Sequence, residues 1–343
     1  MIPFFVLDRP VSLEILKDFF AKNLEYKFGI LTHAFTSTKF KEKFRNFPYD
    51  TPLRYSDLKE TESLNDKISK NIIKFVDSGI FQAKRNISYE ELFETYEYLN
   101  ADYGIIIDFL KDKERTLESA KEAIKTYKKK KYKFKLVGVA QGQTVDDYLK
   151  CYADLEKLGY EHIAVGGLLK RNGNSNYIRL SCEIFLMELL EKINREFQPN
   201  WLFTLGIYNP ERHKLLESYD VWGADYKGWL FEYEEDYSFI LDKIDEYKIS
   251  PKNKKRIIRA LKGYIGEKEI LKLNPKDLDK EETKIRIRKL RRILDNLLKR
   301  ENLSLQKFRF ERVRENLYKK IVLNNLENKN VKFTNSGKNI FKI

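Results

Sequence analysis

Eight short apolar or β-branched runs recur between Pro3 and Ala224, and most are followed by a segment with helical periodicity. This alternation constrains the fold more than any other feature. The runs are Pro3 to Leu7, Phe28 to Thr32, Ile72 to Val76, Tyr103 to Ile107, Lys135 to Ala140, His162 to Val165, Trp201 to Leu205 and Tyr219 to Ala224. Helical spacing fills Val11 to Asn23, Tyr89 to Leu99, Thr116 to Lys131, Val145 to Leu158 and Arg179 to Phe197. Short apolar runs alternating with helical segments imply parallel strands joined by crossover helices. Eight such units match the roughly 250 residues of an α/β (β/α)8 TIM barrel, which is the expected fold. A doubly wound open sheet is the alternative, but Leu7-Asp8-Arg9-Pro10 lacks the glycine-rich phosphate turn that should follow its first strand. The long connection from Ala34 to Asn71, with Phe47-Pro48-Tyr49-Asp50-Thr51-Pro52 inside it, shows few regular patterns. Loops of that length are usually functional or disordered.

Charge divides the chain at about the same place as the pattern does. Of 343 residues, 42% are hydrophobic and 14% aromatic, which is ample for a packed core. The net charge is +14, yet residues 251–343 hold 28 Lys and Arg against 11 Asp and Glu, so the first 250 residues are near neutral. Residues 1–250 are therefore expected to form the barrel, and 251–343 a basic, mostly helical extension suited to a polyanion such as nucleic acid. Within that extension Leu290, Ile293, Leu294, Leu297 and Leu298 share one helical face, which points to packing rather than ligand contact. The two cysteines, Cys151 and Cys182, have neither disulfide nor zinc spacing, and no metal or cofactor is expected. No apolar run is long enough for a membrane span, and the chain starts on a strand rather than a signal peptide, so the expected compartment is a reducing cytoplasm.

Candidate chemistry lies where the strands end. Phe75-Val76-Asp77-Ser78-Gly79-Ile80-Phe81-Gln82 delivers a carboxylate into a Ser-Gly turn followed by an aromatic and an amide. A strand-end Asp can simply cap its turn. Asp108 after Ile105-Ile106-Ile107, Gln141-Gly142 after Val137-Gly138-Val139-Ala140, Gly166-Gly167 after Ile163-Ala164-Val165, and a carboxylate near Asp225 make a shared pocket the better account. Carboxylate, amide and open backbone suit a planar heterocycle with donors and acceptors along its edge, such as guanine. His33, His162 and His213 are too dispersed for a metal site and read as structural or surface residues. Lys84 and Arg85 stand where phosphate near the pocket could be met.

Asp77-Ser78-Gly79-Ile80-Phe81-Gln82, Asp108, Val139-Ala140-Gln141-Gly142, Ala164-Val165-Gly166-Gly167-Leu168 and Leu205-Gly206-Ile207-Tyr208-Asn209-Pro210 resemble, in order and spacing, the tRNA-guanine transglycosylases. The resemblance covers about residues 70 to 230. That family exchanges a guanine for a 7-deazaguanine through a covalent ribosyl-aspartate on a barrel. The resemblance implies that Asp77 is the general acid/base, that Phe81 stacks on the base, and that Asp108 and Gln141 bind its polar edge. Ser78, Gln82, Gly166, Gly167 and Leu168 would add contacts, and Leu205 would line the floor. The family's nucleophilic Asp follows an apolar-aromatic pair, whereas here Val221-Trp222 is followed by Gly223, with acids at Asp220 and Asp225. Asp225 is preferred, because Asp225-Tyr226-Lys227-Gly228-Trp229-Leu230 resembles the Asp-Ser-x-x-Trp-Leu of DNA-acting relatives.

Family members acting on tRNA carry a Cys-x-Cys-x-x-Cys and His zinc site after the last strand, and this sequence has no cysteine beyond Cys182. The pattern is similar to the DpdA group, which places 7-deazaguanines in DNA. The resemblance thus implies DNA as partner, a 7-deazaguanine base as small substrate, and associated proteins of a DNA-modification system. Three alternatives remain at this stage: the same exchange on tRNA, a non-catalytic nucleic-acid-binding barrel that has lost its nucleophile at Gly223, and an unrelated barrel enzyme for a phosphorylated metabolite. The last lacks the glycine-rich phosphate loops expected after the final two strands.

Overall fold

The computed structural model describes residues 1–53, 58–80, 87–168, 180–230, 238–265 and 281–327. Eight strands run β1 (Ile2–Val6), β2 (Phe28–His33), β3 (Ile72–Asp77), β4 (Tyr103–Ile105), β5 (Lys135–Ala140), β6 (His162–Val165), β7 (Leu202–Thr204) and β8 (Gly223–Tyr226). All neighbours are parallel and β8 closes against β1, so the sheet is a closed (β/α)8 barrel and the doubly wound alternative is excluded.

Outside the barrel lie α1 (Pro10–Ala21), α2 (Thr38–Asn46), α3 (Glu62–Asn71), α4 (Tyr89–Tyr98), α5 (Lys113–Lys129), α6 (Val145–Leu158), α7 (Leu180–Phe197) and α8 (His213–Ser218). Four of the starts are fixed by short polar side chains that accept an N–H of the first turn: α2 by Ser37 from Phe40, α4 by Ser88 from Glu91, α5 by Asp112 from Arg115 and α6 by Thr144 from Asp147. The long connection is thus not irregular, because α2 and α3 lie within it. Each has a capping hydroxyl, Ser37 or Thr61, and buries a few apolar residues, Phe40, Phe44 and Ile68. Fully buried Lys17 of α1 ties the intervening chain down through the Thr51 carbonyl and Glu60.

Alternate strand residues point inward, and the lower half of the interior is aromatic. Phe4 of β1 meets Phe75 of β3 at 4.6 Å between ring centroids, and Phe75 meets Phe203 of β7 at 4.8 Å. Tyr103, Trp201 and Trp222 complete the plug, with His162 edge-on to Trp201 at 5.1 Å. Contacts between non-adjacent strands are available only across the barrel interior, so this layer is packed core. Gly223 belongs to it: a Cβ there would lie 2.8 Å from the Phe4 ring and 3.1 Å from that of Phe203.

The last strand corrects an expectation. It begins at Gly223 rather than Tyr219, because Tyr219 follows the end of α8 and Asp220 turns the chain with a φ of +53°. The C-terminal region forms α9 (Ser238–Lys243), α10 (Pro251–Ile265), α11 (Glu281–Lys299), α12 (Leu305–Leu317) and a π-helical turn Tyr318–Glu327. A second apolar cluster joins Phe239, Ile240 and Ile244 to Ile257, Leu261, Leu290, Leu294, Leu298 and Phe308, so its packing starts before residue 251. One side of α12 instead enters the main core through Phe310, Val313 and Leu317, and Arg314 faces buried Asp18 of α1 at 3.7 Å. Asn325 Nδ2 donates to the Pro210 carbonyl at 2.9 Å, fixing the extension to the loop after β7. Among the described residues no helix is long and apolar enough to cross a membrane.

Candidate active site

The inward positions that fill the lower barrel with rings reach, two residues later, a different set of side chains. Phe75 is followed by Asp77, Phe203 by Leu205, Gly223 by Asp225, and Phe4 by Val6 and then Asp8. These upper residues, with Leu31, His33, Asp108, Gly166, Gly167 and Leu168, wall a cavity of about 640 Å³ at the C-terminal ends of the strands. That volume lies within the roughly 300–1,000 Å³ of small-molecule sites.

Three enclosed carboxylates at or just beyond the ends of three separate strands share this cavity, with exposed Asp8 a fourth acid on its wall. Burial pushes Asp77 up to about 7, with the negative potentials of Asp108 and Asp225 adding to it and the Ser78 and Gly79 N–H groups opposing. Burial also raises Asp108 to about 6, against the Gln141 amide, whose Nε2 donates to Oδ2 at 2.6 Å. Asp225 rises to about 6 for the same reason, opposed by the Gly206 N–H, which reaches Oδ1 at 2.5 Å, and by Lys227. Asp108 and Asp225 both act on Asp77, so its titration is linked to theirs. Asp77 is the group raised furthest, with two neighbouring acids adding to its burial, whereas at Asp225 an N–H and a cation favour the charged form. Two carboxylates with separated proton affinities can serve as acid and nucleophile in one cavity.

The candidate residues from the sequence divide into three groups. Asp77, Asp108, Gly166, Gly167, Leu168, Leu205 and Asp225 line the cavity together. Ser78 and Gln141 are buried but stand behind its wall: Ser78 directs its hydroxyl at Asp77 Oδ1 at 3.5 Å, and Gln141 is spent on Asp108 and on the Lys111 N–H, 3.1 Å from Oε1. Both side chains thus support the carboxylates. Phe81, Gln82, Lys84 and Arg85 fall outside the described residues.

Gly166 also departs from expectation. Its N–H already bonds the Ala140 carbonyl at 3.1 Å and is not open to a ligand, while its carbonyl accepts from Tyr148 Oη at 2.8 Å and keeps a second lone pair. The Gly pair instead makes room for the amide behind it. At Gly167 φ is +70°, which favours glycine, and a side chain there would overlap Gln141 Oε1. Asp220, the alternative nucleophile, is exposed in the turn before β8 and does not reach the cavity. Gly223, taken as the mark of a lost nucleophile, is explained by ring packing.

Five ionisable wall residues were not assigned to the site from the sequence: Asp8, Arg9, His33, Lys111 and Lys227. The expectation that His33 is structural or at the surface is corrected. It ends β2 beside Asp77 in register, and the Gly79 turn packs on it so closely that a Cβ would lie 2.9 Å from its Nδ1. That nitrogen accepts the Phe35 N–H at 3.3 Å, and burial, helped by Lys41 and Lys227 against Asp8, lowers the ring's pKa. A neutral imidazole in this tautomer carries its proton on Nε2. The signal for His33 and Asp8 was the strand-exit rule already used for Asp77.

Fold and site define a (β/α)8 barrel with three carboxylates converging in one cavity at the C-terminal ends of its strands. No family model and no curated protein matches the chain.

Proposed function

We propose that the protein is a base-exchanging glycosyltransferase that replaces guanine in DNA by a 7-deazaguanine. The observation that carries this reading is the convergence of Asp77, Asp108 and Asp225, all raised by burial, in one cavity of small-molecule size. The Asp225 carboxylate attacks C1′ of a deoxyguanosine turned out of its stack, forming an ester bond as the C1′–N9 bond breaks. Asp77 gives its proton to the departing guanine. A 7-deazaguanine then takes the vacated place, Asp77 removes its N9 proton, and N9 displaces the aspartate from C1′. Two displacements at one carbon give overall retention. Asp108, steadied by Gln141, meets the donor edge of the base, and Leu205 packs below it. Arg9, Lys111 and Lys227 on the cavity wall put positive charge where flanking phosphates would lie.

The sequence motifs that resemble tRNA-guanine transglycosylases support the same chemistry, and DNA is favoured because the segment after β8 contains no cysteine for that family's zinc site. The test is incorporation of labelled guanine and labelled 7-deazaguanine into duplex DNA, single-stranded DNA and tRNA. Uptake into DNA is expected. Uptake into tRNA alone overturns the choice of substrate, and no uptake into any of them overturns the reaction.

A further inference from the structure

The basic extension is not uniformly solvated charge. α10 has no acidic residue at all, and its charges and apolar groups lie on different faces. Asn253, Ile257 and Leu261 are buried in the second apolar cluster with Leu290, Leu294 and Leu298 of α11. Lys252, Lys255, Arg256, Arg259 and Lys262 are all exposed, at the spacing that gathers side chains within roughly a third of the helix circumference. None of the five has an ion pair among the described residues, whereas Lys254, off that stripe, pairs with Asp245. Glu301, the acid at the start of α10, is engaged by Ser250 Oγ at 2.5 Å and by Asn253. On α11, Lys289 and Arg292 are exposed as well.

We propose that this face of α10 is a docking surface for the phosphate backbone of duplex DNA. The stripe runs from Lys252 to Lys262, about 15 Å of helix, and duplex DNA presents a charge about every 1.7 Å of its axis. A cationic helix that binds membranes inserts its apolar face into the lipid, but here that face is occupied by α11. The stripe carries no aromatic side chain on which unpaired bases could stack, so it reads backbone charge and not sequence. The choice of DNA over another polyanion rests on the exchange reaction proposed above.

The experiment uses the full chain and the triple variant K255Q/R256Q/R259Q, whose altered side chains are all exposed. Binding of a fluorescent duplex is followed by anisotropy over a series of salt concentrations, and base exchange is measured on a guanine-containing trinucleotide, which carries too few phosphates to gain much from a basic helix. The variant is expected to lose about 10- to 100-fold in duplex affinity at moderate salt, with the slope of log K against log salt shallower by about 2 to 3. Trinucleotide exchange should be unchanged. Unaltered duplex affinity and slope in the variant overturn the proposal, as does tighter binding of tRNA or of anionic phosphatidylserine vesicles than of duplex DNA by the unmodified chain. Loss of duplex binding without exchange on any substrate keeps the docking surface and removes the reaction assigned to the barrel.

Discussion

The two ends of the barrel are built on the same strands, and two residues separate them. On β3 the lower position is Phe75 and the upper Asp77; on β8 they are Gly223 and Asp225. Below, rings from β1, β3 and β7 interlock at centroid distances of 4.6 to 5.0 Å, an arrangement whose worth is stability. Above, burial disfavours the ionisation of three enclosed carboxylates, and at Asp77 the other two add to it, which costs stability at neutral pH and leaves reactive groups facing a cavity. Stability and proposed chemistry are thus segregated along each strand, and substitutions at the two levels should have opposite signatures.

The sharpest expected contrast is at Asp225. Asp225→Asn should reduce base exchange by about 10³-fold or more while leaving the thermal midpoint unchanged or raised, since a buried charge is removed at nearly constant volume. Parallel exchange assays and calorimetry check it; a folded, active variant breaks the comparison. Asp77→Asn should cost about 10²- to 10⁴-fold in exchange, the range for loss of a positioned acid/base. At the lower level Phe75→Ala should lose about 3–5 kcal/mol in urea unfolding, with the activity of the folded fraction largely kept.

The smallest effect concerns pH. Because Asp77, Asp108 and Asp225 hold protons more tightly folded than unfolded, their stabilising contribution is complete below the ordinary carboxylate value of 3.8 and is lost as pH rises through about 6 to 7. Thermal midpoints measured between pH 5 and 8 should therefore fall for the unmodified protein, and fall less for Asp77→Asn, by about 2–4 °C for each kcal/mol recovered. An identical decline in both would show that Asp77 ionises as it does in water.

The barrel was legible because each strand is an apolar run stopped by a polar or glycine residue, and α6 was read to the residue, Val145–Leu158, from its periodicity. β8 was misread because Tyr219-Asp220-Val221-Trp222 looks like strand, yet its first half leaves α8, with the Tyr219 and Val221 N–H groups both bonding the Leu216 carbonyl. α2 was hidden because Phe40 and Phe44 are its only buried residues, too few to show a period. In the site, the acids were legible as strand-end charges, whereas the task of Gln141 was not. Its amide follows β5 just as Asp77 ends β3, and only the three-dimensional approach of Asp108 and Lys111 turns it away from the cavity. Arg9 and Lys227 lacked any local mark, since a cation beside a turn is ordinary surface until the cavity is seen.

The most direct measurement is to mix the protein with guanine-containing duplex DNA in the absence of a second base, denature, digest and map any attached nucleotide by mass spectrometry. The deoxyribose should be found esterified to Asp225, and Asp225→Ala should yield no adduct. An adduct on Asp77 or Asp108, or one that persists in Asp225→Ala, would contradict the assignment of attack to the last strand and of proton transfer to Asp77.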